Sequence, residues 1–200
     1  MKFFKLVLIL ILAAQVGKSQ TLSCRIKGIL LHDNQYKYAY LQASKKAAPL
    51  MTTIANNAFE FTTQKNGDFD LRTLYLAIDS IDRKEFVAEQ KTFRVRSSRL
   101  IAMENLTIEI DNDLPHAVVI GGADNIEVDE MAQVLVSKEY LTFFKKHSNS
   151  RISLLLLQSL ITYNKIVSNS DNECLQYYGL LTERLKNTPE AQKIHLELSN

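Results

Sequence analysis

The sequence predicts an α+β chain, in which an N-terminal antiparallel β-sandwich or open barrel is followed by a C-terminal helical subdomain. From Thr21 to about Ile120, apolar residues alternate with a period near two, in short segments separated by polar turns. After Gly121-Gly122 the apolar period becomes helical, and helix-start signals recur from there onward. The expected division is a signal peptide over residues 1–19, an antiparallel β domain over 20–122 and a helical subdomain over 123–200.

Lys2 and Lys5 form a basic n-region and Phe3 to Ala14 an apolar h-region, while Gly17-Lys18-Ser19 places small residues where a signal peptidase reads them. Cleavage before Gln20 is expected, giving an exported, periplasmic chain. The apolar run is shorter than the roughly 20 residues needed to cross a bilayer, and no later segment is a better candidate, so no transmembrane segment is expected after cleavage. Ser23-Cys24 has the order of a lipoprotein acylation site, which makes anchoring at Cys24 the alternative. Against it, Thr21 stands where Leu is preferred, and Lys18 lies between the apolar run and Cys24.

In the β domain Leu22, Cys24 and Ile26 alternate, then Tyr36, Tyr38 and Tyr40, then Phe59 and Phe61, then Leu74, Leu76 and Ile78. Phe93 and Val95 follow, then Leu106, Ile108 and Ile110, and His116 to Ile120 reads as a last strand. Asn66-Gly67 marks a hairpin or tight turn, because both residues tolerate positive φ. About seven to nine short strands of this kind make a sandwich or open barrel.

In the helical part, Asp124 with Glu127 has the spacing of a capping box and predicts a helix to about Lys146. Ser148-Asn149-Ser150 punctuates, and a second helix is expected from about Arg151 to Val167. Ser170 with Glu173 repeats the capping box for a third helix, to about Lys186. Thr188-Pro189, an N-cap followed by proline at the first helical position, opens a fourth. On the second helix Ile152, Leu155, Leu156, Leu160 and Tyr163 form one apolar face, and Leu154, Leu157 and Ile161 widen it nearly all round. Packing within the subdomain explains the first face. The three widening residues are the candidate interaction surface, for a second copy or a partner domain.

Composition narrows the chemistry. The formal charge of +2 falls to −1 once three lysines, Lys2, Lys5 and Lys18, leave with the signal peptide, so nothing favours nucleic acid as a partner. Cys24 and Cys174 are the two cysteines and lie 150 positions apart, which excludes a C-x-x-C redox pair or a metal-binding doublet. Two buried thiols are the expected state, with a disulfide between them as the alternative in an oxidising compartment. His32, His116, His147 and His195 share no metal-ligand spacing. Gly121-Gly122 lacks the remaining glycines and the lysine of phosphate-binding loops, and no G-x-S-x-G elbow is present. No catalytic, cofactor or metal residue is therefore assigned. Lys91, Arg94, Arg96 and Arg99 form a basic stretch in which Arg94 and Arg96 share one strand face, either solvated or a weak site for an anionic glycan or partner.

Four stretches of the β domain carry a resemblance: Ile26-Lys27-Gly28 with Tyr38-Ala39-Tyr40-Leu41; Asn57-Ala58-Phe59-Glu60-Phe61; Asn105 to Ile110; and Val118 to Asn125, running into a helix. Asn149-Ser150 before a Leu-rich helix and Leu181 to Leu185 before Thr188-Pro189-Glu190 extend it. In these the chain resembles domain of unknown function 4369, the N-terminal module of exported thioredoxin-like thiol-disulfide oxidoreductases of the Bacteroidetes type. The resemblance implies a non-catalytic exported binding or interaction module. Its alternative is an accessory component of an exported thiol-redox system that docks onto a separate thioredoxin-like protein. The resembling proteins continue into a thioredoxin-like domain, whereas this sequence ends at Asn200 without a W-C-x-x-C motif, so no catalytic residue carries over. Self-association, or binding of a thioredoxin-like envelope protein, is the partnership this implies.

Overall fold

The computed structural model describes residues 22–32, 35–44, 47–81, 95–167 and 172–199. The expected signal peptide, Arg94 and the Ser170 cap lie outside them. Eight strands are described: β1 (Ser23–Leu30), β2 (Tyr38–Gln42), β3 (Leu50–Thr53), β4 (Ala58–Gln64), β5 (Leu71–Ala77), β6 (Val95–Ala102), β7 (Leu106–Ile110) and β8 (Val118–Ile120). They form two four-stranded sheets, one in the order β4-β1-β7-β8 and the other β3-β2-β5-β6. Alternation places Cys24, Ile26 and Leu30 of β1, Phe59 and Phe61 of β4 and Leu106, Ile108 and Ile110 of β7 on one inner face. Ala39 and Leu41, Leu74 and Leu76, and Ile101 face them from the other sheet. The result is the predicted α+β chain with an N-terminal sandwich.

Several details differ from the sequence reading. β1 pairs with β4 antiparallel but with β7 parallel, because the chain between β1 and β7 builds β4 and the whole second sheet before returning. Alternation determines which face is buried and carries no information about the direction of the neighbour. In β2 the inward residues are Ala39 and Leu41 rather than the tyrosines; Tyr40 is buried on the opposite face with Ala77 and Ile81, its hydroxyl accepting from Ile81 N at 2.7 Å. β3, a short edge strand with Leu50 and Met51 exposed, has no alternation to announce it.

The two-residue hairpin turn lies at Asn56-Asn57, where both φ are positive (50° and 57°) and Ala55 and Ala58 exchange both backbone hydrogen bonds. Asn66-Gly67 is instead a turn in the crossing from β4 in one sheet to β5 in the other, with Gly67 at φ 70°. Gly28 stands opposite Phe59 in the β1–β4 register, and a Cβ there would lie 2.1 Å from the Phe59 ring. The aromatic ring occupies the space that the missing side chain leaves.

The helical part contains α1 (Ala123–Ser137), α2 (Tyr140–Lys146), α3 (Arg151–Val167), α4 (Asn172–Leu180), α5 (Glu183–Lys186) and α6 (Pro189–Leu198). Two of the four expected helices are each divided. Lys138, left-handed at φ 63°, donates its N–H to Val134 O and ends α1 before α2 begins. Thr182, extended, separates α4 from α5. Thr188 caps α6 as predicted, its hydroxyl accepting from Ala191 N at 3.3 Å.

The helices cover the outer face of the second sheet. Ala102 and, partly buried, Leu71 and Leu100 join Phe144, Ile152, Leu156 and Leu185 in one core. Two polar anchors fix this layer to the sandwich. The buried Asn125 side chain donates to Ala102 O at 3.0 Å and accepts from Ala102 N at 2.9 Å, occupying the free edge of β6 as a neighbouring strand would. Arg99 donates to Leu114 O, at 3.1 Å, to Ala117 O, at 2.6 Å, and to Asp129 of α1, tying β6 to the loop before β8 and to the helix.

Candidate functional site

The beginning of α1 sets up the site. Asp124 is not the N-cap. Gly121 and Gly122, at φ 93° and 79°, turn the chain so that the helix starts at Ala123 with Gly122 as its cap. The exposed N–H at Asn125 is taken by Glu104 from the β6–β7 turn, at 3.3 Å, and Glu104 also accepts from Asn125 Nδ2 at 3.0 Å. Because a distant glutamate does the capping, Asp124 and Glu127 are left free to face the junction between sandwich and helices.

There they line a cavity of about 400 Å³, with Asp68 and Phe69 from the loop before β5, His147 to Ser150 after α2, Arg151 at the start of α3, and Arg184 of α5. A second chamber of about 370 Å³ shares Phe69 and Arg151 and is lined further by Leu154, Leu155 and Ile194 and by Gln158, Glu190 and Lys193. A polar chamber thus adjoins one with an apolar wall, at a junction between layers, where small-molecule sites commonly occur.

The polar side chains are largely paired with one another. His147 Nε2 lies 2.6 Å from Glu130 Oε2 and its Nδ1 3.4 Å from Glu127 Oε1. Lys146 donates to Glu130 at 2.8 Å, and Ser150 donates its hydroxyl to Glu127. Arg184 donates Nε and Nη2 to Asn149, each at 2.9 Å. The Lys146 and His147 donors hold the Glu130 carboxyl below the usual range. Burial pushes the Asp124 carboxyl up, and nearby Glu104 and Glu127 add to this while Lys65 opposes it. The side chains of Asp68, Asp124 and Arg151 form no hydrogen bond or ion pair among the described residues.

Ser150 donates its hydroxyl to the Glu127 carboxylate rather than to the His147 imidazole, each of whose ring nitrogens faces a glutamate. Among the described residues no group of His, Cys, Asp and Glu is arranged to hold a metal ion, and no helix is long and apolar enough to cross a membrane.

The residues singled out from the sequence lie elsewhere. Leu154, Leu157 and Ile161, expected as an interaction surface, are 6%, 0% and 0% exposed and belong to the helical core. Tyr163, assigned to the interior, is 59% exposed. The cause is α3's position, enclosed by α1, α4, α6 and the sheet, so that burial extends round most of its circumference. The Arg96 backbone is in β6, but its side chain, like Arg94, is outside the description. Arg99, grouped with them in the sequence, is the interlayer clamp described above. Cys24 and Cys174 form no disulfide with each other and are buried in different cores, one in the sandwich and one among the helices. Burial pushes the Cys24 thiol up.

Sequence reading took Asp124 and Glu127 as a capping box and Ser148-Asn149-Ser150 as punctuation, and so missed the cleft. The usable signals were the one-turn spacings of Glu127 to Glu130 and His147 to Ser150. No family model, curated protein or solved structure matches the chain.

Proposed function

We propose that the protein is a non-catalytic exported binding module and that the cleft between sandwich and helices is its binding site. One observation carries the reading: the potentially reactive side chains of the cleft bond to each other, while Asp124 and Arg151 are held at its walls without partners. A group kept partly desolvated and unpaired costs stability, a pattern typical of functional sites. The asparagine and arginine anchors fix the walls before any ligand arrives, which reduces the ordering cost of binding. The likeness of the sequence to the N-terminal module of exported oxidoreductases, and the signal-peptide pattern of residues 1–19, support the export part of the proposal.

Native mass spectrometry of full chain recovered from the cell envelope tests this. The wild type is expected to start at Gln20 and to carry a non-covalent small-molecule adduct that Arg151→Glu loses. Recovery without an adduct, or turnover in an insulin-reduction assay, would sink the proposal.

A further inference from the structure

The unpaired groups of the cleft are two carboxylates and one guanidinium. Asp124, at the start of α1, and Arg151, at the start of α3, are both half-buried, and Asp68 is exposed at the rim. Asp124 and Arg151 share the chamber but do not form an ion pair with each other. The other charges lining this polar chamber are committed: Lys146 to Glu130, Glu127 to Ser150 and His147, and Arg184 to Asn149. A ligand that completes these contacts brings a cationic donor for Asp124 and Asp68 and an anionic acceptor for Arg151. The donor set among the described residues does not suit a metal, which leaves an organic ammonium as the cation. Beyond Arg151 the adjoining chamber offers Phe69, Leu154, Leu155 and Ile194 on one wall, with Gln158, Glu190 and Lys193 on the rest of its lining, and the apolar wall is a surface for an apolar group attached near the carboxylate.

Accepting the binding-module reading above, we infer that the cleft binds a zwitterionic ligand with an apolar side chain, an α-amino acid or short peptide, its ammonium on Asp124 and Asp68, its carboxylate on Arg151 and its side chain beside Phe69 and Leu155. An ammonium beside the Asp124 carboxylate would favour its charged form and so oppose the upward push of burial, as Lys65 already does in part. Arg151 presents a planar fork that matches a carboxylate in two-point geometry.

Isothermal titration calorimetry and amide NMR on the full chain test the inference with L-leucine, leucinamide, 4-methylpentanoate and the dipeptide Leu-Leu. Leucine or Leu-Leu is expected to bind, with each singly charged probe weaker by about tenfold or more, the loss of one charge-assisted contact. The tighter of the first two identifies the free amino acid or the peptide as the source. Asp124→Asn should weaken leucine and leucinamide but leave 4-methylpentanoate unchanged, while Arg151→Gln should weaken leucine and 4-methylpentanoate but leave leucinamide unchanged. Arg151→Lys, which keeps the charge, should retain part of the affinity and serves if Arg151→Gln melts early. Silence from every probe at millimolar concentration, or equal affinity in wild type and both variants, overturns the inference. If silence is accompanied by the envelope adduct that Arg151→Glu loses, only the ligand class is wrong; without the adduct the binding-module reading falls as well.

Discussion

Strand β1 shows Cys24, Ile26 and Leu30 to the sandwich interior and Ser23, Arg25 and Lys27 to solvent, whereas helix α3 has the second sheet and other helices packed against several of its sides. In the strand a residue's burial follows from its parity, since a single layer lies on one side. In the helix burial depends on how many neighbours arrive and from which directions, which one helix's own pattern does not specify. The layers also differ in their polar groups. Buried Arg72, bonded to Asp70, Thr63 and Gln64, closes one end of the sandwich from within, while the polar groups of the helical layer gather at its border with the sheet.

The sharpest test of this contrast uses one charge at two positions on α3. Leu157→Glu places an unpaired carboxylate in the helical core and is expected to cost more than about 4 kcal/mol, enough to unfold that layer. Tyr163→Glu, on the exposed side, should change stability by less than about 0.5 kcal/mol. Urea unfolding followed by far-UV circular dichroism measures both. A folded Leu157→Glu protein would mean that α3 has a free face after all.

The coupling between the layers is tested at Asn125. Its truncation in Asn125→Ala leaves Ala102 N and O without their partner at the β6 edge, a loss of about 1–3 kcal/mol. If the layers form one cooperative unit, circular dichroism and tyrosine fluorescence will keep a shared midpoint. Separate midpoints in the variant would show the anchor to be what joins them.

Within the sandwich, Gly28→Ala forces the Phe59 ring aside and should cost about 1–3 kcal/mol, read as a lower thermal midpoint. Gly28→Ala with Phe59→Leu should recover part of it, since the shorter side chain vacates that space. No recovery would place the strain in the backbone.

The smallest effect expected is in acid. Glu130, held down by Lys146 and His147, and Glu197, held down by Lys165, both bind protons less readily when folded than when unfolded. Their contribution is fully present above the ordinary glutamate value of about 4.3 and is lost as pH falls through the folded values. Glu130→Gln should therefore flatten the fall of thermal midpoint with acidification while leaving the sandwich core unchanged. Asp124, shifted up by burial, has the opposite sign, so Asp124→Asn should be no less stable than wild type at neutral pH.

The legible parts of the sequence were those governed by one local rule. Alternation identified Cys24 and Ile26 of β1 and the inward residues of β4 and β7, though Leu22, read with them, is exposed, and Thr188-Pro189 marked the start of α6. It failed where a second element decided the outcome. The Asp124-x-x-Glu127 spacing is a valid capping box, but two glycines at positive φ and a glutamate from another turn supplied the cap first. In β2 the tyrosines had the alternation of core residues, yet Ala39 and Leu41 face the sandwich interior and Tyr40 is buried on the other face of the sheet. The cleft was missed for the same reason: its walls come from the loop before β5, the segment 147–150, α1, α3 and α5, and local spacings mark single walls without showing that they meet.

The parallel pairing of β1 with β7 also constrains how the chain reaches its fold. Arg25 and Asn105, joined by a backbone-to-side-chain hydrogen bond at that pair, are 80 residues apart in sequence. The strand made first is completed only after nearly all the other strands have been made, so closing the first sheet is a late event that gives up the entropy of a long loop. Until then β1 presents an unpaired edge, and a chain made from its N-terminus keeps that edge open the longest.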